Sequence, residues 1–356
     1  MFHPDDPSAD DPSADDRSES ELCVSIVIPA YDAAANLPLV IPAALAALDG
    51  GGELVVVDAG SRDRTASLAE QLGARVIRLP ERAGPARARN VGAADVDADV
   101  VLFIDSDCVP HPDVVKRVRD AFTAEPRLVS LCGSYDSNPP HPGFASQYMN
   151  LRHHYTHHSS PGDAATFWAG CGAVRLASFR AVDGFDAERF PRPQIEDIEL
   201  GLRLAPLGIT RLDPDLQVTH LKAWTLRGVI ETDLRERAIP WARLILERGA
   251  LPDNLNLRRS QRLAAALAPF AMLSVPLVPL AALRGDGLLA IAGLACIAAS
   301  LSLSFGLVRF FARTRGPLFA AGAWLFHQLH LTYSAAVFAL CWLQHRLGSR
   351  RARSTS

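Results

Sequence analysis

Two aspartates one residue apart close an apolar run, Val100-Val101-Leu102-Phe103-Ile104-Asp105-Ser106-Asp107. Strand alternation aims Asp105 and Asp107 the same way, which offers hard oxygen ligands to Mg²⁺ or Mn²⁺ and through the cation to a diphosphate. Taken alone, the pair is equally a loop with solvated acids. A second acidic cluster, Glu196-Asp197-Ile198-Glu199, opens a predicted helix. First-turn acids complement the helix dipole. Two adjacent carboxylates facing different ways also let one fix local structure while the other takes a proton from a hydroxyl. Asp58 begins Asp58-Ala59-Gly60-Ser61-Arg62-Asp63-Arg64-Thr65, placed where a carboxylate can accept the imide N–H of a uracil; Asp63 reads as a helix cap. Arg87 and Arg89 follow Gly84-Pro85 at a helix start, a setting that suits phosphate or an ordinary basic surface helix.

Strands and helices of regular length must position these residues. Apolar runs at Val24–Ile28, Leu54–Val57, Arg75–Leu79 and Val100–Ile104 alternate with helical patterns at Leu37–Leu48, Thr65–Leu72, Ala86–Ala94 and Val114–Phe122. That alternation predicts an α/β domain with a mostly parallel, Rossmann-like sheet, whose ligands sit at the carboxyl ends of the strands. Leu128–Leu131 and Leu216–His220 read as further strands, His141–Ala165 as irregular, Phe167–Arg175 as turn-rich, and Ile195–Leu207 as a helix stopped by Gly208.

The net charge of −3 over 356 residues hides an asymmetry. Residues 1–21 hold one Arg against eight acids, 22–220 hold 18 bases against 25 acids, and 221–356 hold 17 bases against six. The first segment repeats Asp-Asp-Pro-Ser-Ala and reads as a disordered acidic tail without a secretory signal. Residues 225–260 read as an amphipathic interfacial helix and linker: Leu226, Ile230, Leu234, Trp241 and Ile245 form a stripe beside several arginines, with a kink at Pro240. Within 261–346, apolar segments at about 263–283, 287–308 and 318–343 approach the ~20 residues that cross a bilayer, and a basic tail, 347–356, follows. The second segment is the clearest span. Pro269, Pro276 and Pro279 in the first, and His327, Gln328 and His330 in the third, suit broken, re-entrant or interfacial elements. Two crossings with a re-entrant third segment keep the arginine clusters on the cytoplasmic side, with the catalytic domain. Basic residues that bracket apolar runs point to lipid and away from nucleic acid. Six scattered cysteines without a C-x-x-C pair suggest neither a disulfide framework nor structural zinc.

Val24–Tyr31, Asp58–Thr65, Arg-x-Arg-Asn at 87–90, Asp105-Ser106-Asp107, and Glu196-Asp197 with Gly201 and Arg203 stand in the order and spacing of family 2 glycosyltransferases, which the chain resembles over roughly residues 23–250. The resemblance implies a GT-A nucleotide-sugar-binding domain over 22–224, an inverting reaction and a nucleotide-diphosphate donor, most often UDP-linked. It places Pro29, Ala30 and Tyr31 along the base, Asp58 on it, and Arg87 near the phosphates. Asp105 falls toward ribose and metal, Asp107 on the metal, and Asp197 as general base. His220 matches a third metal-ligand position, and a structural histidine fits it equally.

Signals for the acceptor are weaker. Phe167–Gly172 offers Trp168 as a stacking platform and Gly170 as exposed backbone near the donor sugar, beside Glu196. Arg237 and Trp241 faintly resemble the Arg-Trp element of processive relatives, but the Gln-x-x-Arg-Trp pattern is absent. A single transfer to a lipid or lipid-linked acceptor is therefore expected; a processive synthase and a catalytically silent membrane scaffold are the alternatives. His153-His154 and His157-His158 sit four apart but lack an acidic or thiol companion for zinc.

Overall fold

The computed structural model describes residues 22–48, 51–164, 166–249 and 259–354. The acidic segment 1–21, residues 250–258 of the linker and the last two residues of the basic tail lie outside them. The first half is the expected alternation: β1 (Val24–Ala30), α1 (Leu37–Leu48), β2 (Leu54–Asp58), α2 (Thr65–Gln71), β3 (Arg75–Arg78), α3 (Pro85–Asp95) and β4 (Val100–Ile104). Then follow β5 (Cys108–Pro110), α4 (Val114–Ala124), β6 (Leu128–Tyr135), α5 (Phe144–His158), β7 (Gly162–Asp163), β8 (Cys171–Arg175), α6 (Leu176–Ala181), α7 (Glu196–Leu204) and β9 (Ile209–His220).

Among the described residues these strands make one nine-stranded mixed sheet in the order β3-β2-β1-β4-β8-β6-β9-β5, with β7 on β9. The parallel run spans β3-β2-β1-β4, and antiparallel pairing begins where β8 inserts beside β4. Alternation along the strands sorts the core into two layers. Ile26, Ile28, Val56, Leu102 and Ile104 pack with α1 and α4 on one face. Val27, Val55, Val57, Val101 and Phe103 pack with α3 and α7 on the other.

Two segments depart from the sequence reading. The irregular stretch at 141–165 contains α5, whose first two turns are buried all round, with Ser146, Gln147 and Asn150 among Ala145, Tyr148, Met149 and Leu151. Burial of polar groups on several faces erases the amphipathic stripe that marks a surface helix. The turn-rich stretch at 167–175 contains β8, a central strand of small residues. A Cβ on Gly172 would lie 2.4 Å from the Phe167 ring, so the glycine that suggested a turn instead makes room for packing.

Beyond β9 come α8 (Leu226–Thr232), a π-helical turn (Asp233–Ala238) and α9 (Ile239–Arg248). Pro240 lies two residues past the π turn, inside a helical run that continues from Leu226 to Arg248, and the helical irregularity is that π turn. The chain closes with α10 (Arg259–Leu283), α11 (Gly287–Leu303), α12 (Phe305–Arg315) and α13 (Pro317–Ser354). The ranking of the apolar segments reverses. Despite three prolines α10 is continuous, and Ser260–Leu283 is the one helix among the described residues that is long and apolar enough by itself to cross a bilayer. The segment read as the clearest span breaks instead: α11 and α12 meet at a 74° bend. The third segment is unbroken, part of the single helix α13, and its His327 has a partner in the first domain. His327 Nδ1 lies 3.1 Å from the Tyr148 hydroxyl of α5. Phe319 and Phe326 pack around Phe144, and Leu307, Phe311, Ala320 and Ala323 share a core with Tyr148 and Val229.

Candidate active site

β4 ends and the chain turns through Asp105-Ser106-Asp107 into β5, which pairs antiparallel with β9 so that Cys108 faces His220. This register delivers the last residue of a distant strand to the Asp-x-Asp loop, and His220 Nε2 lies 3.5 Å from Asp107 Oδ2. The other ring nitrogen, Nδ1, lies 2.7 Å from Asn150 Oδ1. With the Asn amide so oriented, Nδ1 carries the proton and Nε2 keeps its lone pair for a ligand. Among the described residues, Asp107, Cys108 and His220 are the one group of three metal-ligating types with donor atoms within 4.8 Å of one another. Burial and the neighbouring carboxylates push the Cys108 thiol well above its ordinary range, so it stays a protonated core group. Carboxylate and imidazole remain, a donor set that fits Mn²⁺ or Mg²⁺.

Asp105 turns toward α3. Its Oδ1 accepts from Arg89 at 2.6 Å, and Arg89 also donates to Glu196 Oε1 at 3.0 Å. Arg89 and Glu196 are 4% and 5% exposed, so the pair is a desolvated clamp between the Asp-x-Asp loop and the start of α7. Arg87, the arginine expected near phosphate, points away from this clamp: it is exposed and pairs with Glu81 at 3.4 Å. Two residues along a helix is about 200° of rotation, so the arginines cannot share a face. The signal for Arg89 is its helical spacing with the small residues Ala86 and Ala93, which are buried beside it.

The three acids of α7 divide. Glu196 is taken by Arg89, and Glu199 is bound by Arg203 at 2.7–3.0 Å. Asp197 has no cationic partner among the described residues. Its oxygens accept backbone N–H groups from Ala169 at 3.2 Å and Ile198 at 2.8 Å. Burial, then repulsion from Glu196, pushes its carboxyl up to about 7, against the pull of Arg89. A carboxylate that titrates near neutrality and faces a loop is suited to taking a proton. Helix and loop are held at close range by Gly201, where a Cβ would sit 2.2 Å from Phe167 N.

That loop carries the weaker candidates. Trp168 meets Tyr135 edge-on at 4.8 Å, and Tyr135 stacks on His220 at 4.2 Å, so three rings run from the loop to the histidine beside Asp107. Gly170 lies against the Trp168 ring, and its carbonyl accepts from Asp105 N at 3.3 Å. At the far end of the sheet Ala30 pairs with Asp58. Pro29 and Ala30 are buried in β1, while Tyr31 is partly exposed beneath Arg82 at 4.6 Å. Asp58 Oδ1 accepts from Ser61 N at 3.1 Å. Asp63 bonds Thr65 and Ala34, a local structural role. Arg237 donates to Asp233, and Trp241 packs with Ile195, Ile198 and Leu202 on the back of α7. The histidines of α5 are ring-packed: His154 stacks on His158, and His157 lies edge-on to Trp168.

A model of the family described as Glycosyl transferase family 2 matches residues 25–182. The chain carries a family 2 glycosyltransferase domain. Glu196, Asp197 and His220 of that domain's sheet and helices lie past the matched residues. Glucosyl-3-phosphoglycerate synthase of Mycobacterium tuberculosis (strain CDC 1551 / Oshkosh) is 38% identical over 98 residues, 25% of this chain and 30% of that protein. Undecaprenyl-phosphate 4-deoxy-4-formamido-L-arabinose transferase of Shewanella sediminis is 36% identical over 101 residues, 26% of this chain and 30% of that protein. The chain thus spans about a third of the length of these curated relatives. The mannosyltransferase of Pyrobaculum calidifontis, solved with GDP-Man and Mn²⁺, shares the fold at a TM-score of 0.55, with 18% identity over 90% of this chain and 87% of that one. The glycosyltransferase domain accordingly has the GT-A architecture that its strand order suggests.

Proposed function

We propose that this chain is an inverting glycosyltransferase that moves a sugar from a nucleotide-diphosphate donor, with UDP as the first candidate, to a lipid or lipid-linked acceptor at a membrane. One observation carries the reading: of three acids on α7, Asp197 alone lacks a basic partner among the described residues and is poised near neutrality, next to Glu196, which Arg89 clamps to the Asp-x-Asp turn. Asp197 takes the proton of an acceptor hydroxyl, and the freed oxygen attacks the anomeric carbon opposite the diphosphate. Asp58 and Tyr31 hold the base, and Asp105 holds the ribose side of the donor. Asp107 and His220 would hold a divalent cation, which when bound neutralises charge on the departing diphosphate. The Trp168–Tyr135–His220 rings and the Arg89 clamp connect the proposed proton-taking and leaving-group ends. The Mn²⁺ in the Pyrobaculum neighbour and the lipid-phosphate acceptor in the Shewanella relative's name support the cofactor and acceptor classes.

Exposed Leu273, Leu277, Ile291 and Leu294 on α10 and α11 support insertion of that hairpin. Its turn carries Arg284 and Asp286, which balance, whereas Arg262, Arg309, Arg313 and Arg315 flank the hairpin in sequence and Arg315 bonds Gln147 and Ser137 of the glycosyltransferase domain. The positive-inside rule then puts that domain in the cytoplasm, on the inner membrane. The test is a panel of nucleotide-sugars with and without Mn²⁺ or Mg²⁺, using detergent-purified full chain and membrane lipid extract. Label entering lipid, lost in Asp197→Asn while UDP still binds, supports the reading. A donor consumed only with water-soluble acceptors overturns the lipid assignment, and no donor bound under any metal overturns the enzyme.

A further inference from the structure

Asp233 opens the π-helical turn and is 2% exposed, yet the transfer reaction makes no use of it. Partners on three elements surround it. Arg237, on the turn itself, donates at 3.2 Å, and Arg152 of α5 lies at 3.7 Å. From α13, the Tyr333 hydroxyl donates at 2.7 Å and His330 Nδ1 lies at 2.9 Å. Burial would push the Asp233 carboxyl up, but Arg152, His330 and Arg237 together hold it well below the usual carboxylate range. A buried charge with this many partners fixes geometry more than it stabilises, because desolvation consumes most of the attraction.

The element it fixes points at the active site. A π turn adds a residue to the helical repeat and re-aims the side chains that follow, and such turns recur at functional sites. Here Arg237 reaches His153 Nε2 at 3.4 Å. The His153 ring packs on Tyr135 at 5.7 Å, and Tyr135 stacks on His220. Glu236, one residue before Arg237, is half-buried and senses Lys222 and Glu196. The turn is therefore in contact, through His153 and Tyr135, with the ring stack that ends on His220.

We infer that Asp233 is a positioning residue: it locks the π turn against α13, so that Arg237 and Glu236 are held over the acceptor side of the site and the seating of the last helix governs acceptor engagement. This rests on the transfer reading above, and the chemistry of the lock is an ordinary hydrogen-bonded ion cluster that changes no bond. α13 also packs along α10, the helix apolar enough to cross the bilayer, which gives the lock a route to the lipid phase.

The experiment uses the full chain in phospholipid nanodiscs, as wild type, Asp233→Asn and Tyr333→Phe. The phenylalanine variant removes one hydroxyl without altering shape, so it keeps the test open if the asparagine variant does not fold. Three quantities are read: UDP affinity, the amount of lipid extract giving half-maximal transfer, and amide hydrogen exchange across residues 226–248. Losing a charge-assisted bond that orders the turn should raise the half-saturating lipid by about tenfold and speed exchange at 226–248. UDP affinity and exchange in β1 and β4 should stay at wild-type values. A lowered melting temperature with unchanged lipid requirement and unchanged exchange at 226–248 would make Asp233 a merely structural residue and overturn the inference. So would an equal loss of UDP affinity. If wild type transfers no sugar to lipid, the proposed function is what fails. Exchange then decides the lock by itself: faster at 226–248 in Tyr333→Phe supports it, and no change overturns it.

Discussion

Asp197 and Arg89 show how much a single partner decides. Asp197→Asn should lower kcat by about 10²–10⁴-fold, the usual worth of a positioned base, while nucleotide affinity measured by calorimetry stays near wild type. In wild type the rate should fall as pH drops through about 7, because the base takes up its proton there. Stability should move the other way. A carboxyl raised to about 7 in the folded chain stabilises it fully below the ordinary carboxylate range and loses that contribution as pH rises through its folded value. The melting temperature of Asp197→Asn relative to wild type should therefore climb from about pH 4 to about pH 7 and level off above, since unfolded carboxylates titrate near 3.9. Arg89→Met leaves Glu196 buried without its cation and should cost about 3–5 kcal/mol in denaturant unfolding, whereas exposed Arg87→Ala should cost less than about 0.5 kcal/mol.

At the scale of elements, the site is assembled by register. β5 and β9 pair so that His220 arrives beside Asp107, and α5 then supplies Asn150 to orient the ring. Asn150→Leu should weaken Mn²⁺ binding by about 10–100-fold in calorimetry, as loss of an outer partner of a metal histidine does, without removing a ligand. Gly201→Ala should displace the Phe167–Ala169 loop from α7, read as a lower kcat with a lowered melting temperature, because the new methyl meets backbone rather than a flexible side chain. The four N-terminal strands, the Asp-x-Asp turn and the acidic start of α7 were legible because local alternation and capping write them into consecutive residues. The pairing of β8, the helix α5 and the choice of Arg89 over Arg87 were not. Each depends on what a distant segment buries: Phe167 against Gly172, Tyr148 against α13, Glu196 against Arg89. Polar residues inside a fully enclosed helix look like a loop until their partners are known.

For the whole molecule, the apolar hairpin and the globular part are one packing unit. Replacing Leu277 and Ile291 with Asp should release the full chain from sedimented membranes under alkaline extraction, since charge at bilayer depth costs about 2.5–3.5 kcal/mol per residue. If the chain stays in the pellet, attachment lies elsewhere than α10 and α11. The sequence announced this region by charge asymmetry and apolar length, and both are composition. It did not announce that the last helix returns to the first domain, because His327, His330 and Tyr333 acquire meaning only beside Tyr148 and Asp233.

The core shared by Tyr148, Val229, Phe311 and Ala323 has a temporal side. Synthesis runs from the N-terminus, so α5 and then the hairpin emerge before α12 and α13 exist to cover α5. Until then Tyr148 and its neighbours present an uncovered apolar face. Completion of the first domain's core thus waits on the last two helices, and a chain that stops before α12 carries an unfinished first domain.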